Sequence, residues 1–64
     1  MVSVINYKSD NGMKAVIKSS HYSVMLYVED KDGNIIIDNK PYSGVLSAKN
    51  VLRKLGGNWE MLDE

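Results

Sequence analysis

The sequence lacks cysteine altogether, and it contains one proline and one histidine among 64 residues. Without cysteine, neither a disulfide framework nor a thiolate metal site can hold the chain together. The proline, Pro41, falls in a segment that we interpret as a loop. Apolar burial therefore has to supply the stability of the fold.

Neither sign of charge is in excess, since eight Lys and Arg residues balance eight Asp and Glu residues. No overall field draws the protein towards nucleic acid or an anionic membrane. Residues 1–7 have neither the basic start nor the apolar run of a signal peptide, and no hydrophobic segment reaches the length of a membrane span. From these features we expect a cytoplasmic protein that does not bind membranes.

The length predicts one small domain over residues 1–64. Ordering such a chain costs on the order of 100 kcal/mol, at roughly 1.5 kcal/mol per residue, and apolar burial must offset nearly all of it. With 44% hydrophobic residues the balance is narrow. A partner chain would widen that margin.

Two short segments predict β-hairpins. "SDNG" at 9–12 and "DKDG" at 30–33 each separate apolar runs rich in β-branched residues. The runs predict strands at about 2–8, 13–19, 22–29 and 34–38.

The length of each hairpin loop determines which side chains share a face, because side chains alternate along a strand. A four-residue loop in the second hairpin gathers its apolar residues on one side, and the same parity in the first hairpin does likewise. The core face predicted in this way carries Val2, Val4, Met13, Ala15, Ile17, Tyr22, Val24, Leu26, Val28, Ile35 and Ile37.

A helix is predicted after the second hairpin. Its apolar stripe at helical spacing consists of Val45, Ala48, Val51, Leu52 and Leu55. Gly56 and Gly57 suit its end. Ser43 as N-cap gives about twelve residues and Ser47 about eight, and we favour Ser43 because the shorter helix would bury little.

The expected fold is α+β. It consists of an antiparallel sheet of three to four strands, built from two hairpins, with the C-terminal helix packed on one face. "NWEML" at 58–62 follows as a short strand or extended tail that Trp59 anchors.

The acidic segment "VEDKDGNIII" at 28–37 has two interpretations, a calcium loop or a turn. A calcium loop that begins at Asp30 requires glycine at its sixth position and glutamate at its twelfth, where this chain has Ile35 and Pro41. Glycine stands instead at position 33, as a turn requires. We interpret the segment as a hairpin, without a metal.

The sheet face that the helix leaves uncovered is unusually apolar in this arrangement. It would carry Ile5, Tyr7, Val16, Met25, Tyr27 and Ile36 among Lys14, Lys18, Ser23 and Asp38. A solvated sheet face is usually polar, and Tyr and Met are enriched at protein interfaces. The C-terminal tail, a second copy or another protein could cover the face. We assign partner binding to Tyr7, Val16, Met25, Tyr27 and Ile36.

Catalytic chemistry is not indicated. His21 stands beside Ser20, but neither an orienting acid nor an oxyanion site is marked in the sequence. The acids Glu29, Asp30, Asp32 and Asp38 cluster around one hairpin, as solvated turns often do. No phosphate-binding glycine motif is present. We predict a protein that is not an enzyme and uses no cofactor.

The leading hypothesis is a small interaction module, an adaptor, inhibitor or regulator, that binds itself as a homodimer or binds another protein through the apolar sheet face. Binding of nucleic acid is the alternative, because lysines interleaved with aromatic residues can form a stacking platform for single strands. Its residues would be Lys14, Lys18, Lys49, Arg53 and Lys54.

One stretch adds to that alternative. Residues 22–55 contain the "DKDG" turn, the Tyr42–Ser43 step and an alanine-containing helix. In this order of elements they loosely resemble integrase arm-binding and AP2-type DNA-binding domains. That resemblance implies DNA binding through a sheet. Those families carry several Arg or Lys residues on the sheet strands, whereas Tyr22 to Glu29 contains none.

Overall fold

The computed structural model describes residues 2–62. Five strands and one helix follow one another along this part of the chain. The elements are β1 (Ser3–Ser9), β2 (Lys14–Ser19), β3 (Val24–Glu29), β4 (Ile35–Tyr42), α1 (Val45–Leu55) and β5 (Trp59–Leu62).

The strands form one antiparallel sheet in the order β4-β3-β2-β1-β5. Helix α1 packs on one face of this sheet, through Ala48 and Leu52. The predicted α+β class and the single helix on one face are confirmed. The sheet has five strands rather than three or four, because the segment after the helix returns to pair with β1.

Both hairpin loops are one residue shorter than predicted. Ser9 N–H donates to Met13 O in the first hairpin, and Asp30 N–H donates to Asn34 O in the second, both at 2.9 Å. Each pair encloses three residues whose last is a glycine at positive φ, 91° at Gly12 and 88° at Gly33. This is the three-residue hairpin in which a type I turn is followed by a left-handed glycine.

The shorter first loop reverses the predicted faces of β1. Tyr7 lies opposite Ala15 and Ile5 opposite Ile17, so both face the helix. Val2 and Val4, which we had placed in the core, are 62% and 53% exposed. A change of one residue in register moves every side chain of a strand to the other face, and the prediction for β1 was wrong for that reason.

The second hairpin loop is also shorter than predicted, but two irregularities in β4 keep part of that strand on its predicted face. The register shifts between Glu29 and Val28 and again between Val28 and Leu26, as it does at β-bulges. Ile37 consequently lies opposite Val28 and packs against the core, as predicted. Ile35, opposite Glu29, is exposed, contrary to the prediction.

Two further boundaries differ from the prediction. Tyr22 is 93% exposed because it lies in the turn between β2 and β3 and not in the strand. Strand β4 continues through Pro41, which we had placed in a loop. Proline is tolerated there because β4 is an edge strand, where a missing N–H leaves no ladder bond unmade.

Helix α1 begins after Gly44, one residue later than the favoured N-cap, Ser43. Gly44 has an extended backbone, and its carbonyl accepts the amide of Ala48 at 3.3 Å. The helix ends at Gly56, whose positive φ of 91° and N–H bond to Arg53 O close the last turn. Arg53 and Lys54 in that turn complement the helix dipole.

Strand β5 is attached to the rest of the molecule at two points. The indole N–H of Trp59 donates to Leu52 O at 2.7 Å. The carboxylate of Asp10 accepts both the backbone and the side-chain amide of Asn58, at 3.0 and 3.1 Å. These bonds explain why a four-residue strand forms, and Trp59 acts as the predicted anchor. In the described part of the chain, α1 is too short to cross a bilayer.

Candidate interaction surface

Helix α1 covers one face of the sheet, and the side chains that alternate away from it form the opposite face, which we call the open face. Its centre is formed by β2 and β3, and β1 continues it on one side. The open-face residues of these strands are Val4, Asn6, Lys8, Lys14, Val16, Lys18, Met25, Tyr27 and Glu29.

The central strands place three of the five predicted partner-binding residues on the open face. Val16, Met25 and Tyr27 lie there, and all three are half-buried. Tyr7 does not, because the register of β1 turns it into the core, where it is 8% exposed. Ile36 is exposed, but it occupies the irregular part of β4, between the partners of Glu29 and Val28.

The open face remains uncovered by the rest of the described chain. Strand β5 extends the sheet beside β1 instead of folding across it. It also brings Leu62, which is exposed, into line with Asn6. Ile5, which we had placed on the open face, is on the helix side.

The side chains of β2 and β3 form three rows across the centre of the open face. Each row contains two residues that the strand pairing sets opposite each other. The rows are Lys14 with Glu29, Val16 with Tyr27, and Lys18 with Met25. A charged pair, an apolar pair and a lysine–methionine pair thus follow one another along the strands.

Tyr27 carries the polar group nearest the middle of this surface. Its hydroxyl donates to Oε2 of Glu29 at 3.1 Å. This bond holds the proton on the phenol, and together with desolvation and the charges of Glu29 and Asp38 it raises the pKa of Tyr27. Tyr27 is therefore a neutral hydrogen-bonding group with an apolar ring at any pH near neutrality.

Two shallow depressions flank Tyr27. One, of about 180 Å³, is lined by Asn6, Val16 and Leu62 as well as by Tyr27 and its neighbours. The other, of about 240 Å³, is lined by Val16, Lys18, Tyr27 and Asn39. Neither is as large as the sites that enclose small ligands. Their shape suits side chains that project from a partner surface.

The cations of the nucleic-acid alternative are divided between the two sides of the molecule. Lys14 and Lys18 are on the open face, together with Lys8, which the sequence did not single out. Lys49, Arg53 and Lys54 are on α1, which packs on the opposite face. The five predicted residues therefore do not form one surface.

Sequence reasoning missed several residues of this surface. Val4 and Lys8 were missed because β1 was given the wrong parity, and Leu62 because the tail was not paired with β1. A signal for the parity exists in both turns. Ser or Asp at the first position and Gly at the fourth are typical of a type I turn, which leaves three residues between the paired strand ends.

In the acidic turn that we considered as a calcium loop, the carboxylate of Asp30 accepts hydrogen bonds from the turn itself. Oδ1 of Asp30 accepts the amides of Asp32 and Asn34 at 2.9 Å, and Oδ2 accepts the side-chain amide of Asn34 at 3.1 Å. These bonds lower the pKa of Asp30, with the Asn34 amide as the main cause. Across residues 2–62 no group of three or more His, Asp or Glu side chains is arranged to hold a metal ion.

The other groups considered for chemistry are not brought together. His21 is exposed in the turn between β2 and β3, and its ring contacts that of Tyr22 edge to face at 5.4 Å. Ser20 bonds within the same turn, to the backbone of Ser23. Both residues shape the turn.

No protein-family model, curated protein or solved structure matches this chain.

Proposed function

We propose that the protein is a small, non-enzymatic interaction module that binds a protein surface through the open face. The observation that carries this proposal is the apolar centre of that face, formed by Val16, Met25 and Tyr27. The surrounding strands add exposed apolar side chains, namely those of Val4, Ile35 and Leu62. The face of an antiparallel sheet that is exposed to solvent normally carries polar residues.

The size of the protein supports the same proposal. A 64-residue chain without disulfides has little core to spare, and yet it leaves an apolar strip outside the core, formed by Val16, Met25 and Tyr27. Contiguous patches of this kind on small soluble proteins mark interaction sites. A partner that covers the strip would remove apolar surface from water on both sides.

The chemistry of the face specifies the partner in general terms. The centre is apolar, with the Tyr27–Glu29 pair as its polar point, and Lys14 and Lys18 lie beside it. Burial of a tyrosine ring costs little free energy when its hydroxyl keeps a hydrogen bond, which is why tyrosine is frequent at the centre of interfaces. The partner surface should be apolar at its centre and should place a carboxylate opposite Lys14.

The proposal is tested by exchanging one central residue and one distant residue for the same charged group. Tagged wild-type protein, Tyr27→Asp and Leu46→Asp are used to recover bound proteins from the native cell. Leu46 is the matched control because it is 76% exposed on α1, on the other side of the molecule. The aspartate of Tyr27→Asp would be buried in the interface and should abolish association. The aspartate of Leu46→Asp stays exposed and should leave association unchanged.

The proteins recovered with the wild type, including untagged copies of the chain itself, should therefore be lost with Tyr27→Asp alone. If all three baits recover the same proteins, the open face is not the binding surface. Circular dichroism of each variant confirms that the fold is retained.

Nucleic acid is a second candidate ligand for the same face. Lys14 and Lys18 are diagonal neighbours of Tyr27, and Lys8 lies next to Lys14 on β1. This arrangement favours a single strand whose base stacks on the ring and whose phosphates contact the lysines. The two ligands respond differently to salt. Affinity for a phosphate backbone falls steeply as salt is raised, whereas apolar contacts are nearly indifferent to it.

A titration with single- and double-stranded oligonucleotides at low salt separates the candidates. The proposed protein interaction predicts no measurable binding. Tight binding that is lost with rising salt, and with Lys14→Ala, would replace the first candidate with the second.

A further inference from the structure

We propose that the partner of the open face is a second copy of the same chain, packed face to face about a two-fold axis that runs parallel to the strands between β2 and β3. This inference rests on the proposed function and deepens it, since it names the partner. The evidence for this inference is the distribution of charge in the three central rows. Rotation about this axis brings opposite charges together, whereas rotation about an axis across the strands brings like charges together.

A rotation about an axis parallel to the strands keeps each row in its place and exchanges the two strands. Lys14 of one copy then lies over Glu29 of the other, because the two residues occupy the same row. Val16 lies over Tyr27 in the middle row, and the aliphatic stem of Lys18 lies over Met25 in the third. Each contact occurs twice, as an isologous interface requires.

The alternative axis lies in the same plane but runs across the strands. It exchanges the first row with the third and places Lys14 of one copy over Lys18 of the other. The two lysines of each such pair would repel each other, and like charges brought together in an interface weaken association. Only the axis parallel to the strands is therefore consistent with the charges.

The flanking strands fit the same arrangement. β1 of one copy lies over β4 of the other, because these strands are equally distant from the axis. Val4 and Pro41 occupy the third row and face each other across the interface. In the first row, Lys8 has an acidic neighbour in its own chain, Glu60 on β5, so the acid of the other copy is left for Lys14.

The area of a stable interface determines how much of the open face must be buried in the dimer. A stable interface buries about 800 Å² on each partner, and the accessible surface of the chain is 4562 Å². About a sixth of the whole surface is therefore required, more than the three central rows can offer. The interface has to extend over β1 and β4, where Val4, Ile35 and Pro41 are exposed.

The experiment is a charge exchange between two copies. Lys14→Glu alone places a glutamate over Glu29 of the other copy, and Glu29→Lys alone places a lysine over Lys14. Each variant should dimerise about tenfold or more weakly than the wild type at low salt. A mixture of the two variants pairs each introduced charge with an opposite one, so the mixed dimer should form at close to wild-type affinity.

Native mass spectrometry separates the species once one of the two variants is labelled with ¹⁵N, because the Lys and Glu exchanges alone leave the two chains nearly equal in mass. Mixing leaves the charge pair within each chain unaltered, so a gain of dimer on mixing reports on the contact between chains. Lys49→Glu, a matched reversal on α1, should dimerise like the wild type. Circular dichroism establishes that each variant is folded.

Three results would overturn the inference. The wild type could stay monomeric at every concentration, the single variants could dimerise undiminished, or the mixed dimer could fail to form while the wild type dimerises. A monomeric wild type that still loses a captured protein on Tyr27→Asp would refute the second copy alone and leave the proposed function standing. Capture that Tyr27→Asp does not affect would refute both.

Discussion

At the scale of single residues, Tyr7 has its ring in the core while its hydroxyl has no hydrogen-bond partner. The side chain is 8% exposed, and within residues 2–62 nothing accepts from or donates to its oxygen. A buried polar group without a partner costs free energy that an apolar group of the same shape does not. Tyr7 is thus a point at which the core is not optimal.

Tyr7→Phe should therefore raise the free energy of unfolding by about 1 kcal/mol, because it removes the unpaired hydroxyl and keeps the ring. Urea denaturation measures this change. The control is Tyr42→Phe at the partly buried residue opposite Val24. A loss of stability with Tyr7→Phe would show that the hydroxyl has a partner after all.

Asp30 is the residue whose ionisation the structure links to folding. Its pKa is lowered in the folded protein by the amides of Asn34 and Asp32. The carboxylate therefore stabilises the fold fully above its unfolded pKa of about 3.9. This contribution is lost as the pH falls through the lower folded value.

Asp30→Ala should accordingly lower the urea midpoint at pH 7 and make the remaining stability less sensitive to pH below about 4. Asp32→Ala, which removes an exposed carboxylate from the same loop, is the control for the loss of a negative charge there. Denaturation curves at a series of pH values measure both. Equal acid dependence in Asp30→Ala and the wild type would contradict the role of Asp30.

At the scale of elements, the two hairpin loops have the same construction. Ser9 and Asp30 occupy equivalent positions, and the side chain of each accepts the amide four residues later, at Met13 or Asn34. Gly12 and Gly33 end the two loops with nearly the same φ. Their surroundings differ, since a Cβ at Gly12 would stand 2.8 Å from Cβ of Lys31, whereas Gly33 has no atom within 4 Å of that point.

Both glycine-to-alanine changes should be destabilising, because alanine is strained at positive φ, by about 1 kcal/mol. Gly12→Ala should cost more than Gly33→Ala, since only the former also displaces Lys31 and with it the neighbouring loop. Thermal denaturation of the two variants gives the difference. Equal losses would mean that the loops do not press on each other as the structure shows.

The elements also show how far sequence reasoning reaches. Helix α1 was placed to within a residue because its apolar stripe repeats over three turns and two glycines follow it. Strand β3 was assigned correctly to its faces because it alternates without interruption. Strand β1 was assigned to the wrong faces, because the direction of its side chains depends on whether the hairpin loop has three or four residues.

Strand β4 exposes a different limit. The first of its two irregularities, at Ile36, is not marked by any turn residue. The second contains Asp38 and Asn39, and Asn39 has a positive φ of 50° there. An irregular strand is set by the strand it pairs with, and that information lies elsewhere in the chain. The same applies to the prediction for Ile36, whose surroundings depend on the register shift.

At the scale of the whole molecule, the candidate surface was predicted at its centre and missed at its margins. Val16, Met25 and Tyr27 were placed on the uncovered face because β2 and β3 have a simple register. Tyr7 was misplaced, and Lys8, Val4 and Leu62 were missed, because β1 and β5 depend on tertiary pairing. The charge rows became visible only once that pairing was known.

The whole molecule has two kinds of sheet edge. β4 is irregular and contains Pro41, features that discourage the pairing of edges. β5 is short, and Asn58 and Trp59 fix its beginning. Association through the open face is consistent with both edges, since it requires neither of them to pair.

The most direct measurement is sedimentation equilibrium of the wild type and of Tyr27→Asp, from about 1 µM to 1 mM, a range that covers the affinities of most reversible dimers. The wild type should pass from the 7.2 kDa chain to twice that mass as concentration rises, while Tyr27→Asp remains at 7.2 kDa and folded. A wild type that sediments as a single chain throughout, or a Tyr27→Asp variant that dimerises equally well, would contradict self-association through the open face.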